Sequence, residues 1–143
     1  MKIISVDYGD SHTGLAVCDR TETIASPVGV IHEKQFERCA EQVAAAVKEY
    51  EAGEVVVGNP INMNGSRGPR SQKCELFAEK LRELVNVPVS MWDERSTTVS
   101  ANNIMNELNR RGKKRRETVD AVAAAVILEG YLGYRRNKGE KST

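Results

Sequence analysis

The sequence predicts an α/β domain built on a mixed sheet, and three observations predict it. Apolar runs at Ile3, Ile4 and Val6, at Leu15 to Cys18, and at Thr23 to Ile31 follow one another with only turn-rich links between them, which is a strand meander. From Phe36 onward the period changes, and helical stretches alternate with short strands. Val55, Val56 and Val57 form a strand that is apolar on both faces, as a parallel strand covered on both sides requires.

Each element has its own signal. The first run ends on Asp7, and Gly9 to Gly14 supplies the turn into the second. Pro27 and Gly29 make the third strand an edge strand or a bulged one. Phe36, Cys39, Ala40, Val43, Ala44, Val47 and Tyr50 recur at three- and four-residue steps, an amphipathic helix that Gly53 ends. After the valine strand comes a long link from Gly58 to Ser71, rich in Asn and Gly and carrying Arg67 and Arg70. A link of that length after a central strand reads as a substrate-contacting loop. Cys74, Phe77, Ala78, Leu81, Leu84 and Val85 mark a second helix. Val87 to Trp92 is a further strand, ending on Asp93 and Glu94, and Arg95, Ser96, Thr97 and Thr98 read as a helix entry. Ala101, Ile104, Met105 and Leu108 are the stripe of a third helix. Arg110 to Arg116 is a basic run expected to be an exposed loop, and the last helix is expected over Glu117 to Leu132, with Asp120 in its first turn. Its alanines at 121 and 123 to 125 keep it slim enough to lie close on the sheet. Residues 1–134 read as one domain and 135–143 as a basic, flexible tail.

Composition narrows the function classes. With a net charge of +1 the 143-residue chain is no polycation, so affinity for nucleic acid has to come from local clusters. There is no run of eighteen apolar residues, which argues against a membrane span. The amino-terminal run is too short for a signal peptide. Cys18, Cys39 and Cys74 are isolated and read as small core residues. A cytoplasmic protein is expected.

The chemistry is carried by carboxylates at the ends of elements. Asp7 ends the first strand, Glu94 follows the last strand, and Asp120 opens the last helix. If these ends share one edge of the sheet, the three acids converge where open α/β sheets bind ligands. Converging carboxylates repel unless a cation neutralises them, and hard oxygen donors suit Mg2+ or Mn2+. Paired ions of that kind are the apparatus of nucleases. The basic run Arg110, Arg111, Lys113, Lys114, Arg115 and Arg116 immediately precedes Asp120, as a phosphodiester substrate requires. Adjacent residues of a strand face opposite ways, so Asp93 against Glu94 stays open.

Asp7-Tyr8-Gly9 with Gly14, Val56 to Pro60, Asp93-Glu94-Arg95 with Thr97-Thr98, and Val119-Asp120-Ala121 with Ala123-Ala124 and Ile127-Leu128 resemble the YqgF-like family. Its members are described as pre-16S ribosomal RNA nucleases and as Holliday-junction-resolvase-like proteins. The resemblance spans nearly the whole chain. It implies a ribonuclease-H-like fold with five strands in the order 3-2-1-4-5 flanked by helices. It also implies Asp7, Glu94 and Asp120 as catalytic and metal-holding acids. The expected substrate contacts are His12, Asn59, Arg67, Arg70, Arg95, Thr97 and the basic run. His12 stands where the family commonly has Arg, and Asn59 where an apolar residue is usual. The implied activity is metal-dependent endonucleolytic hydrolysis at the 5′ end of pre-16S ribosomal RNA, by a monomer or homodimer. The rivals are a resolvase acting on branched DNA and a non-catalytic nucleic-acid-binding factor on the same fold. A sugar-kinase-type nucleotide-binding domain shares the core, but 143 residues leave no room for its second lobe.

Overall fold

The computed structural model describes residues 1–60, 65–94 and 115–137, the first six of the last span as backbone only. Five strands form one sheet: β1 (Ile3–Asp7), β2 (His12–Cys18), β3 (Ala25–His32), β4 (Glu54–Asn59) and β5 (Val89–Asp93). Their order across the sheet is β3-β2-β1-β4-β5. The β1–β2 and β2–β3 pairs are antiparallel, whereas β1–β4 and β4–β5 are parallel. This is the expected mixed sheet and the expected order. The proline and glycine of β3 behave as the sequence suggested. The strand lies at the edge, and its register with β2 shifts between Leu15 and Ala16, opposite Gly29 and Pro27.

Strand alternation divides the core in two. Ile4, Val6, Val55, Val57 and Val89 face α1 (Phe36–Glu49) and α2 (Pro69–Leu84). These helices answer with Cys39, Ala40, Val43 and Val47, and with Cys74, Phe77, Ala78 and Leu81. Ile3, Ala16, Cys18 and Val56 face α3 (Arg115–Asn137), which covers the other side with Ala124, Ala125, Ile127, Leu128 and Leu132. All three cysteines are buried and reduced.

The alanines of α3 do what their size allows. The Ser5 hydroxyl donates to the Ala124 carbonyl at 2.6 Å, a fully buried bond between sheet and helix. Only a helix without bulk at this face comes that close. The bond also fixes register: α3 runs against β1, so residue 120, one turn before Ala124, lies toward the carboxyl end of β1.

Four boundaries described here differ from the sequence reading. Helix α2 begins at Pro69, not near Cys74, because proline is well suited to a first helical position. Pro69, Arg70 and Ser71 are therefore helical, and Gly58 and Asn59 belong to β4. Helix α3 begins at Arg115, so Arg115 and Arg116 are helical residues and Asp120 falls in the second turn. It also continues to Asn137, so Arg135 and Arg136 are helical where a tail was expected. An ion pair holds that end: Arg135 Nε lies 2.8 Å from Glu22 Oε1, both side chains being largely buried. The helix expected around 101–108 lies outside the described residues. Among those residues, no helix is long and apolar enough to cross a membrane.

Candidate active site

The carboxyl ends of β1, β4 and β5 lie side by side because those strands are parallel. Asp7, half-buried, is the last residue of β1 and falls on the α3 face with Ile3 and Ser5. The turn beyond it is rigid. A Cβ on Gly9 would sit 2.4 Å from the His12 carbonyl oxygen, so only glycine fits there. The Gly9 amide donates to Thr13 Oγ1 at 3.3 Å, and Cys39 Sγ donates to the same oxygen at 3.3 Å. Tyr8 anchors the strand end by stacking on Phe77 at 4.3 Å between ring centroids.

Glu94 follows β5 and carries its carboxylate back across the sheet. A Cβ on Gly58 would meet Glu94 Oε2 at 2.7 Å. The register pairing Val6 with Val57 sets Gly58 beside Asp7. Asp93 is in register with Asn59 and shares the strand parity of Val89 and Met91, on the α2 side. Glu94 thus reaches over β4 on the face of Asp7, while Asp93 falls on the opposite face. Burial pushes the Glu94 carboxyl above its usual pKa; the Arg70 guanidinium offsets part of the rise and Asp93 adds to it. The Cys74 thiol, on the α2 side of this edge, is pushed up to about 11 by burial.

Arg70, in the first turn of α2, donates from Nη2 to the Tyr8 carbonyl at 2.9 Å. One turn on, Lys73 pairs with Asp10 at 2.7 Å. Tyr8, Asp10, Pro69, Arg70 and Lys73 line a cleft of about 290 Å³ beside the acids. Lys73 and Asp10 were not foreseen. Their only signal was the spacing of Arg70 and Lys73, which puts two cations on one face of the first turn, where acidic residues are usual.

The remaining expected contacts are placed unevenly. His12 begins β2 two residues before Gly14, the partner of Asp7, so it shares the face of Asp7 roughly 7 Å further along the strand. Its ring meets that of His32 edge-on at 4.8 Å, and its Nδ1 lies 2.9 Å from Ser11 Oγ. Asn59 is a different matter. It is buried, accepts from Ser71 Oγ at 2.5 Å and donates to Glu75 Oε2 at 3.3 Å, so it joins β4 to the start of α2. Arg67, largely exposed, holds Glu75 at 3.1 Å. Arg95, Thr97, Arg110, Arg111, Lys113 and Lys114 lie outside the described residues.

Among the described residues, no group of three His, Cys, Asp or Glu side chains stands together to hold a metal ion. Of the three expected acids, Asp7 ends β1 and Glu94 follows β5, both at this edge of the sheet. The third, Asp120, is described as backbone only, and the Ser5–Ala124 bond sets its position toward the same edge. Hard carboxylate oxygens on one face of an open sheet edge are a donor set that suits Mg2+ or Mn2+.

This fold, with acids on the carboxyl edge of its parallel strands, is that of a ribonuclease-H-like domain. Comparison with known proteins agrees. The profile of the RuvX family, described as Holliday junction resolvase, matches residues 1–134, and the chain belongs to that family. A protein of Halothermothrix orenii named "Putative pre-16S rRNA nuclease" is 40% identical over 134 residues, covering 94% of this chain and 96% of its own. One of the same name from Caldanaerobacter subterraneus is 40% identical over 138 residues, covering 96% and 99%. Among solved structures, Thermus thermophilus RuvC in complex with a Holliday junction superposes with a TM-score of 0.61 at 16% identity, covering 94% of this chain and 96% of that one. The fowlpox virus Holliday junction resolvase gives 0.58 at 15%, covering 94% and 99%. At those identities the likeness is one of fold. The family makes the protein a nuclease, and hence a hydrolase of nucleic acid.

Proposed function

We propose that the protein is a divalent-metal-dependent endonuclease of the cytoplasm that trims the 5′ end of pre-16S ribosomal RNA. The observation that carries the metal-dependent part is the Glu94 carboxylate lying over Gly58 on the face of Asp7, above its ordinary pKa through burial. A carboxylate whose charge burial disfavours is well placed beside a cation. Asp7, Glu94 and Asp120 would hold Mg2+ or Mn2+. Bound there, the cation supplies an activated water and charge stabilisation at the scissile phosphate.

The chain's own residues do the rest. Arg70 and Lys73 present positive charge to a phosphate in the cleft beside Asp7. The start of α2 adds the positive end of its dipole. Arg67, His12, Arg95 and Thr97 would be further substrate contacts. The basic residues 110 to 116 lead into α3, whose amino-terminal end lies at the same edge, so they grip sugar-phosphate backbone without reading bases. Asn59 acts from within, by holding α2 in place. The names carried by the relatives favour precursor ribosomal RNA as substrate, and the family description favours a four-way junction as the rival.

The test is purified protein incubated with precursor 16S RNA and with a four-way DNA junction, each with and without Mn2+. The proposal expects Mn2+-dependent cleavage of the RNA, abolished in both Asp7→Asn and Asp120→Asn with binding largely kept. Cleavage confined to the junction would transfer the reading to a resolvase, which needs two sites and hence a homodimer. Cleavage retained by both variants would remove the acids from the mechanism.

A further inference from the structure

Strand β4 runs between the two strands that carry Asp7 and Glu94. Adjacent strands lie about 4.8 Å apart, so β1 and β5 are about 10 Å apart across β4. An acid leaving β5 reaches an acid on β1 only by lying across the top of β4. On the α3 face β4 presents Glu54, Val56 and then, level with Asp7, Gly58.

The space above Gly58 is already filled. A Cβ there would fall 2.7 Å from Glu94 Oε2, 2.5 Å from Ile127 Cδ1 and 3.2 Å from Ile127 Cγ1. Contacts under 3 Å do not persist, so any side chain at 58 moves one of these two neighbours. Ile127 is buried in the face of α3 that covers the sheet. Glu94 is attached at the end of an edge strand and is only partly buried.

We infer that Gly58 is a positioning residue for Glu94: the bare backbone at this point of β4 is the seat on which the β5 acid lies toward Asp7. The inference rests on the metal-dependent reading for its consequence, but not for its geometry. The competing role is purely structural, with Gly58 serving only to let α3 approach the sheet through Ile127.

A pair of variants separates the two roles. Gly58→Ala meets both neighbours and is destabilised. Gly58→Ala combined with Ile127→Val removes the Cδ1 obstacle and leaves the Glu94 obstacle. The double variant is expected to recover most of the melting temperature lost by Gly58→Ala in chelator. Its crystal structure is expected to show the Glu94 carboxylate turned away from residue 58 with α3 in place. Mn2+-dependent cleavage should stay down by about 100-fold, the size of loss that a misplacement near 1 Å produces. Glu94→Gln should show a comparable loss.

A double variant in which Glu94 keeps its place and cleavage returns with the fold would overturn the inference and leave Gly58 a spacer for α3. So would a Gly58→Ala crystal structure in which Ile127 moves and Glu94 does not. If Glu94 is displaced while the wild type cleaves no substrate with Mn2+, the positioning stands and the metal-dependent reading falls.

Discussion

At the amino-terminal end of β4 the fold buries Glu54 and Glu22 around Arg135; at the carboxyl-terminal end it sets Asp7 and Glu94 around Gly58. Both ends carry two acids, and the fold treats them differently. Glu54 accepts from the Tyr131 hydroxyl, from Ser90 Oγ at 2.9 Å and from Arg135 Nη1 at 3.4 Å. Glu22 takes Arg135 Nε at 2.8 Å and Nη2 at 3.3 Å. Burial works against the Glu22 charge, but the Arg135 bonds and charge outweigh it and its pKa falls below the ordinary value. At the other end burial wins, and the Glu94 pKa rises despite Arg70. An acid pair met by arginine and hydroxyls is a structural network. A buried acid whose pKa is raised, as that of Glu94 is, has the character of a functional-site carboxylate.

The difference is breakable, and Arg135→Ala should break it hardest. It takes the guanidinium from two buried carboxylates, of which Glu22 keeps the amino-terminal ammonium at 3.3 Å, a loss of about 3 kcal/mol. Denaturant melts should show it, while substrate affinity of the folded fraction stays unchanged. The effect carries a pH signature. Because the folded-state pKa of Glu22 is depressed, its contribution is complete above the ordinary glutamate value of about 4.3. It is lost as pH falls through the lower folded value. The gap between wild type and Arg135→Ala should therefore narrow on acidification. A gap independent of pH would remove Glu22 from the network.

Charge at the opposite end should affect binding instead. Neutralising Lys113, Lys114, Arg115 and Arg116 together should leave the melting temperature nearly unchanged. The slope of log affinity against log salt on single strands should fall by about 3, at roughly 0.7 per phosphate contact. An unchanged slope would take this stretch out of the binding surface. Arg70→Ala removes one charge-assisted contact and should weaken substrate binding by about tenfold or more, read by fluorescence anisotropy. Equal affinity would leave Arg70 as a brace for Tyr8 alone.

The smallest effect is the most diagnostic of the comparison. In chelator, Glu94→Gln should raise the melting temperature slightly, since it removes a charge that burial disfavours. A fall like that of Arg135→Ala would mean that Glu94 belongs to a structural network after all.

Much of the sheet was legible because its signals are local. The valine run of β4, the apolar run of β1 and the proline of β3 each announce their place in the order. Asp7 and Glu94 were legible as ends of elements. The Arg135 network was not, because Glu22, Glu54 and Arg135 are distant in sequence and only the docking of α3 joins them. Nor was the role of Asn59, which looked like a loop residue until β4 proved longer and α2 earlier than periodicity indicated. Gly58 read as punctuation, since nothing in a single strand shows which neighbour will lie across it.

The central claim is that the carboxyl edge of the sheet is a cation site and the amino-terminal end is not. Isothermal titration of Mn2+ into the wild type, Asp7→Asn and Arg135→Ala tests it directly. The account predicts saturable binding by the wild type and by folded Arg135→Ala, with binding lost or much weakened in Asp7→Asn. Equal Mn2+ binding by the wild type and Asp7→Asn would contradict it.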